Sequence, residues 1–110
     1  MANQSQIINL VMEQGSDFED TFTVRDSDGI VVDMSNYTVS GQMRRHYESE
    51  TYHTLTANGT ATGLTVSLTA AQTANVEEGR WVYDVEVVST SNVVSKPISG
   101  KITVKPQITR

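Results

Sequence analysis

Arg80-Trp81-Val82-Tyr83-Asp84-Val85-Glu86-Val87-Val88 is the stretch on which the fold turns. Trp81, Tyr83, Val85 and Val87 share one parity, while Asp84 and Glu86 fall on the other. Side chains of an extended chain point alternately to opposite faces, so the pattern reads as a strand with one buried and one wet face. Its aromatic and β-branched residues suit a pleated, half-buried surface. The same alternation returns in Ile98-Ser99-Gly100-Lys101-Ile102-Thr103-Val104, where the even positions form the apolar face.

Working outward, Phe18, Phe22 and Val24 share a parity, as do Tyr37, Val39, Gly41 and Met43, and Leu64, Val66 and Leu68. Turn chemistry lies between these runs. Asp26-Ser27-Asp28-Gly29 predicts a hairpin with Gly29 at positive φ, and Ser89-Thr90-Ser91-Asn92 predicts another. Asn58-Gly59, Gly63 and Glu78-Gly79 mark further turns, and Pro106 marks where the last strand loses its ladder partner. Thr69-Ala70-Ala71-Gln72 has capping-box spacing, which predicts one short connecting helix near 70–76. Thr51-Tyr52-His53-Thr54-Leu55 reads as a strand or a loop. The expectation is an all-β fold: a single antiparallel β-sandwich, immunoglobulin-like, of seven to eight strands.

The chain has 110 residues, the scale of one domain spanning 1–110. It has no cysteine, so disulfides and thiolate zinc sites are excluded, and a reducing compartment suits it. A net charge of −5 argues against phosphate-driven nucleic-acid binding. The only basic run, Arg44-Arg45-His46, is followed by Glu48 and Glu50. The N-terminal residues lack the basic and apolar regions of a signal peptide, and no run reaches membrane-spanning length, so no membrane partner is expected.

Candidate chemistry is sparse. Asp26, Asp28 and Asp33 surround a turn but lack the closing Glu of a calcium loop, and turn aspartates explain them. His46 and His53 are too few for a zinc site without carboxylate help. There is no Gly-x-Ser-x-Gly elbow and no phosphate loop. Trp81 and Tyr83 read as core because they share a face with Val85 and Val87. The sequence therefore nominates no catalytic residue, no cofactor and no metal ligand. It does nominate partner-binding residues. Ile7, Ile8 and Leu10 lie in residues 1–11, which read equally as a docking arm or a first strand, and Tyr47 and Tyr52 are the aromatics best placed for recognition.

One resemblance spans nearly the whole chain. Glu13-Gln14-Gly15-Ser16-Asp17-Phe18, Asp28-Gly29-Ile30-Val31-Val32-Asp33-Met34-Ser35-Asn36-Tyr37 and Glu78-Gly79-Arg80-Trp81-Val82-Tyr83-Asp84-Val85 occur in that order. Together they resemble a small β-sandwich virion domain of tailed bacteriophages, similar to the N-terminal domain of upper baseplate proteins. Met34-Ser35-Asn36 stands where Leu-Thr-Gly is usual, and Trp81 where Tyr is common. The resemblance implies a non-enzymatic structural component of the virion, made in the host bacterial cytoplasm. It would bind other virion proteins at the baseplate, tail or fibre, in several symmetry-related copies. A capsid decoration protein, or a receptor- or carbohydrate-binding module, is the alternative.

Overall fold

A computed structural model describes residues 6–108. The elements in chain order are β1 (Gln6–Ile7), β2 (Leu10–Glu13), β3 (Phe18–Thr23), β4 (Thr38–Arg44), β5 (Tyr52–Gly59), β6 (Gly63–Leu68), α1 (Ala70–Thr73), β7 (Gly79–Val88) and β8 (Val94–Lys105). The fold is all-β. The strands form one hydrogen-bonded path, β1-β8-β7-β4-β5-β6-β3, with β2 continuing beside β8. The ambiguous segment around Tyr52 is a strand.

The path curls into a half-barrel at β5. The first half of β5 pairs with β4, from Arg44↔Tyr52 to Gly41↔Leu55, and its second half, Thr56–Gly59, pairs with β6. Two close backbone approaches hold this corner. A Cβ on Gly59 would lie 1.9 Å from the Met34 carbonyl oxygen, and one on Gly63 would lie 1.9 Å from that of Phe22. Glycine alone fits both places.

The buried parities meet inside the curl. Met12, Phe22, Met43, Leu64, Tyr83 and Ile102 belong to one apolar cluster, with Trp81 and Val85 beside them. The predicted faces of Trp81, Tyr83, Val85 and Val87, and of Ile98, Ile102 and Val104, are all buried. Asp20 is an inward-parity exception, half-buried between Phe18 and Phe22.

The expectation of a wholly antiparallel arrangement needs correction. β1 and β2 run parallel to β8, with Ile7 opposite Ser99 and Leu10 opposite Ile102. A parallel pair needs a long crossover, and here the rest of the domain supplies it. The β8 alternation also breaks. Val85 pairs with Ile98 but Val87 pairs with Ser95, which leaves an extra residue on β8 at Lys96-Pro97. Pro97 has no N–H to donate, and both Pro97 and Ile98 are buried, as a bulge requires.

The hairpins take the expected chemistry. Asp26 Oδ1 accepts the N–H groups of Asp28 (2.9 Å) and Ile30 (3.0 Å), and Gly29 has φ 80°. In the β7–β8 loop, Ser89 Oγ accepts from the N–H groups of Ser91 and Val93, and Asn92 has φ 64°. α1 is shorter than 70–76, but the Thr69–Gln72 capping box forms. α1 also pins the β2–β3 turn. Thr73 Oγ1 accepts from Gly15 N–H (3.0 Å) and donates to the Ser16 carbonyl (2.8 Å), and Asp17 Oδ1 accepts from Ala70 N–H (2.7 Å).

Candidate functional site

The outer face of β8, β7 and β4 is built from the polar parity of each strand. Ser40, Gln42 and Arg44 on β4 stand opposite Glu86, Asp84 and Val82 on β7, and Asp84 stands opposite Ser99 on β8. These side chains line an open groove of about 680 Å³, with Lys96 at one side and Tyr47 at the rim. Charged groups stand on both sides of the groove. Lys96 Nζ lies 3.7 Å from Asp84 Oδ2, while Arg44 Nη2 donates to Gln42 Oε1 at 3.0 Å.

Arg44 organises the rim. Its Nη1 donates to the Ser49 carbonyl, which ties the β4–β5 loop to β4. Its guanidinium lies 4.6 Å from the ring centre of Tyr52, the residue opposite it in the ladder. Stacking on an aromatic face leaves the planar guanidinium N–H groups usable in plane. In the same loop, Ser49 Oγ accepts from His46 N–H (3.0 Å), and Tyr47 projects from the turn with 83% of its surface exposed. Tyr47 and Tyr52, nominated separately from the sequence, are thus brought to one end of the sheet and joined through Arg44. Arg44 enters the sequence reading only within the basic run Arg44-Arg45-His46, and Gln42 not at all; their shared parity with Ser40 on a strand is the signal that places them on one face.

The histidines go elsewhere. His46 is exposed in the turn, and the His53 ring packs against Trp81 at 5.2 Å between centres. Trp81 Nε1 donates to the Glu77 carbonyl at 2.8 Å, and Arg45 bridges Glu77 (3.4 Å) and lies 5.3 Å from the Trp81 ring centre. This cluster closes the end of the core. Among the described residues no three His, Cys, Asp or Glu side chains gather as a metal cradle.

The first strands divide the other nominees. Leu10 is a correction: it is 8% exposed and packs in the core, so its side chain is on no docking surface. Ile8 is half-buried against the core, and Ile7 is 80% exposed. Residues 6–11 follow the first-strand alternative, and residues 1–5 lie outside the described residues. Val11, which closes the candidate docking arm, is 56% exposed on β2, and the sequence did not mark Ile30 at the Asp-Gly hairpin or Val93 and Val94 at the β7–β8 tip as exposed apolar residues. No helix among the described residues is long and apolar enough to cross a membrane.

The titration shifts are structural. Burial pushes the Asp20 carboxyl above the usual carboxylate range. Two hydrogen bonds from Ser35, through its hydroxyl and its N–H, hold Asp33 below that range. Burial, with the nearby Asp20 charge, raises the Tyr83 hydroxyl above its ordinary value.

No protein-family model matches the chain, and no curated protein matches it. Among solved structures, it is similar to the crystal structure of a mutant of the SrpA adhesin from Streptococcus sanguinis, with a TM-score of 0.54 at 15% sequence identity. The match covers 96% of this chain and 58% of the adhesin chain, so the chain spans less than two thirds of that structure. At that identity the likeness is one of fold.

Proposed function

We propose that this chain is a non-enzymatic structural component of a tailed-phage virion, built on an immunoglobulin-like β-sandwich, that binds other virion proteins at the baseplate, tail or fibre attachment. The observation that carries the reading is where apolar surface remains after the core is filled. Ile7 and Val11 lie on the outermost strands, and Ile30, Val93 and Val94 lie at hairpin tips. Strand edges and loop tips are where a sandwich offers backbone and apolar groups to a neighbour. The ordered motifs running from Gln14-Gly15-Ser16-Asp17 to Tyr83-Asp84-Val85 support the same assignment. Its place would be the virion, after synthesis in the host bacterial cytoplasm, and a site on the capsid as a decoration protein is the variant of this reading.

The test is light scattering of the purified chain mixed in turn with candidate baseplate, tail, fibre and capsid proteins. A stable complex with one of them supports the reading and names the neighbour. A chain that binds none of them overturns it.

A receptor- or carbohydrate-binding module is the second reading, favoured by the polar groove beneath Tyr47. Gln42, Arg44, Asp84 and Glu86 offer the mixed donors and acceptors that sugar hydroxyls need, and Tyr47 offers a ring face. Replacing Tyr47 and Tyr52 with Ala separates the two. Lost host adsorption with intact assembly supports the module, and lost assembly supports the scaffold.

A further inference from the structure

The two ends of the curled sheet are chemically unequal. β3, at one end, carries Glu19 and Asp20, and Asp20 is an inward-pointing charge of the kind that discourages edge-to-edge pairing. At the other end, residues 6–12 (Gln-Ile-Ile-Asn-Leu-Val-Met) hold no charge at all, in a chain of net charge −5.

The backbone of this uncharged edge has a defined polarity. Ile8 N–H donates to the Ser99 carbonyl (2.9 Å) and Gln14 N–H to the Lys105 carbonyl (3.0 Å), both on β8. In a parallel ladder alternate residues turn both backbone groups to the same neighbour. The even-numbered residues therefore turn toward β8, with the Ile8 carbonyl given to Tyr83 instead, and by the same alternation Ile7, Asn9 and Val11 turn their N–H and C=O groups to the side that no other described strand covers. The odd-numbered side chains also share the outer face, where Ile7 is 80% and Val11 56% exposed. The Asn9 side chain is already engaged, its Oδ1 accepting from Lys101 N–H at 3.1 Å, which keeps the strand against β8 where β1 passes into β2.

We propose that this edge is the interface with a second copy of the chain, the two β1–β2 segments pairing antiparallel about a twofold axis at Asn9. Any axis centred on a residue sets outward-facing residues opposite one another in hydrogen-bonded pairs, and among these the axis at Asn9 is the one that brings the two exposed apolar residues, Ile7 and Val11, together. Centring on Asn9 puts Ile7 opposite Val11 of the second copy, and Val11 opposite its Ile7, with Asn9 facing Asn9. Both cross-strand apolar pairs then cover exposed side chains, and no like charges oppose one another. A twofold operator makes the contact self-complementary and closed, so the assembly stops at a dimer. Acidic copies repel through most surfaces, and this neutral edge is where they approach at least electrostatic cost. With Ile7 and Val11 given to the second copy, the hairpin tips at Ile30, Val93 and Val94 remain for another virion protein, so the mass of the chain alone tests this inference and mixing with virion proteins tests the other.

Sedimentation equilibrium of the full chain tests it, with twice the 12.1 kDa chain mass as the expected result. Val11→Lys should raise the dimer dissociation constant about tenfold or more while leaving the circular dichroism of the folded chain unchanged, and the thermal midpoint should lose its dependence on protein concentration. Thr21→Lys on β3 should leave the dimer intact. Register is read by cross-linking, because the chain has no cysteine of its own. The double variant Ile7→Cys/Val11→Cys should form a dimer under oxidation on a non-reducing gel, and Val11→Cys alone should not. A chain that stays at monomer mass, a Val11→Lys variant that still dimerises like the parent, or a Val11→Cys variant that cross-links by itself would each overturn the proposal.

Discussion

The Tyr83 hydroxyl donates a 2.6 Å hydrogen bond to the carbonyl of Ile8, a residue 75 positions earlier. It stands on β7 directly opposite Gly100 of β8, and the Ile8 carbonyl lies over that glycine. One phenol thus fills the space above a glycine and satisfies a backbone acceptor where β1 passes into β2. Burial that suits the ring would penalise the hydroxyl, and the Ile8 carbonyl removes the penalty. Tyr83→Phe keeps the ring and leaves the Ile8 carbonyl without this donor. A loss of about 1–3 kcal/mol is expected by urea denaturation, with no change in secondary structure by circular dichroism.

Gly100 makes the same junction possible from below. A Cβ there would lie 2.3 Å from the Ile8 oxygen, and the obstacle is backbone, not a flexible side chain. Gly100→Ala should push β1 off β8 at a cost of about 1–3 kcal/mol. Hydrogen exchange locates the effect: amides of residues 6–12 should lose protection while those of β4 and β7 keep it.

Thr73 is the buried polar residue between α1 and the β2–β3 turn. Its hydroxyl accepts from Gly15 N–H and donates to the Ser16 carbonyl, so Thr73→Val keeps the shape and strands both groups. The expected loss is about 1–3 kcal/mol in a denaturant titration. Thr73→Ser, which keeps the hydroxyl, should recover most of it.

Asp20 gives stability a pH dependence of defined sign. Burial holds its folded carboxyl above the ordinary value, so the folded chain keeps the proton to a higher pH than the unfolded chain does. Stability contributed by this group is therefore present below the unfolded value and falls as the pH rises through the raised folded one. Asp20→Asn should raise the melting temperature near neutral pH and bring little change below the carboxylate range. Thermal melts of both proteins across pH check the crossing.

Tyr47 should be separable from folding. It is 83% exposed, so Tyr47→Ala is expected to change stability by no more than about 0.5 kcal/mol. Any binding lost in that variant then reports on the groove, measured by titration calorimetry with the partner identified in mixing experiments.

Much of this architecture was legible along the chain, for a local reason. Whether Trp81, Tyr83, Val85 and Val87 share a face depends only on the period of an extended strand, so both the strand and its buried side could be read from neighbours. The Asp26–Gly29 hairpin and the Thr69–Gln72 cap are likewise closed by side chains within four residues of the groups they bind. The candidate site was less legible. Tyr47 and Tyr52 were found as exposed aromatics, but Arg44, which joins their loop to the sheet, carried no local mark of that role.

What the order of residues settled alone was the face that the strongly alternating strands bury and the chemistry of the Asp26–Gly29 and Ser89–Asn92 turns, whereas Asn58-Gly59, read as a turn, is the end of β5. Tertiary structure decided that β1 and β2 lie parallel to β8, that β5 leaves β4 for β6, and that Leu10 is consumed by the core while Ile7 and Val11 remain outside. It also decided that Pro97 shifts the β8 ladder at a bulge. These outcomes rest on contacts between residues far apart in the chain, such as Tyr83 with Ile8 and Gly59 with Met34. A periodic pattern records which face of a strand is apolar; it holds no record of which other strand covers that face.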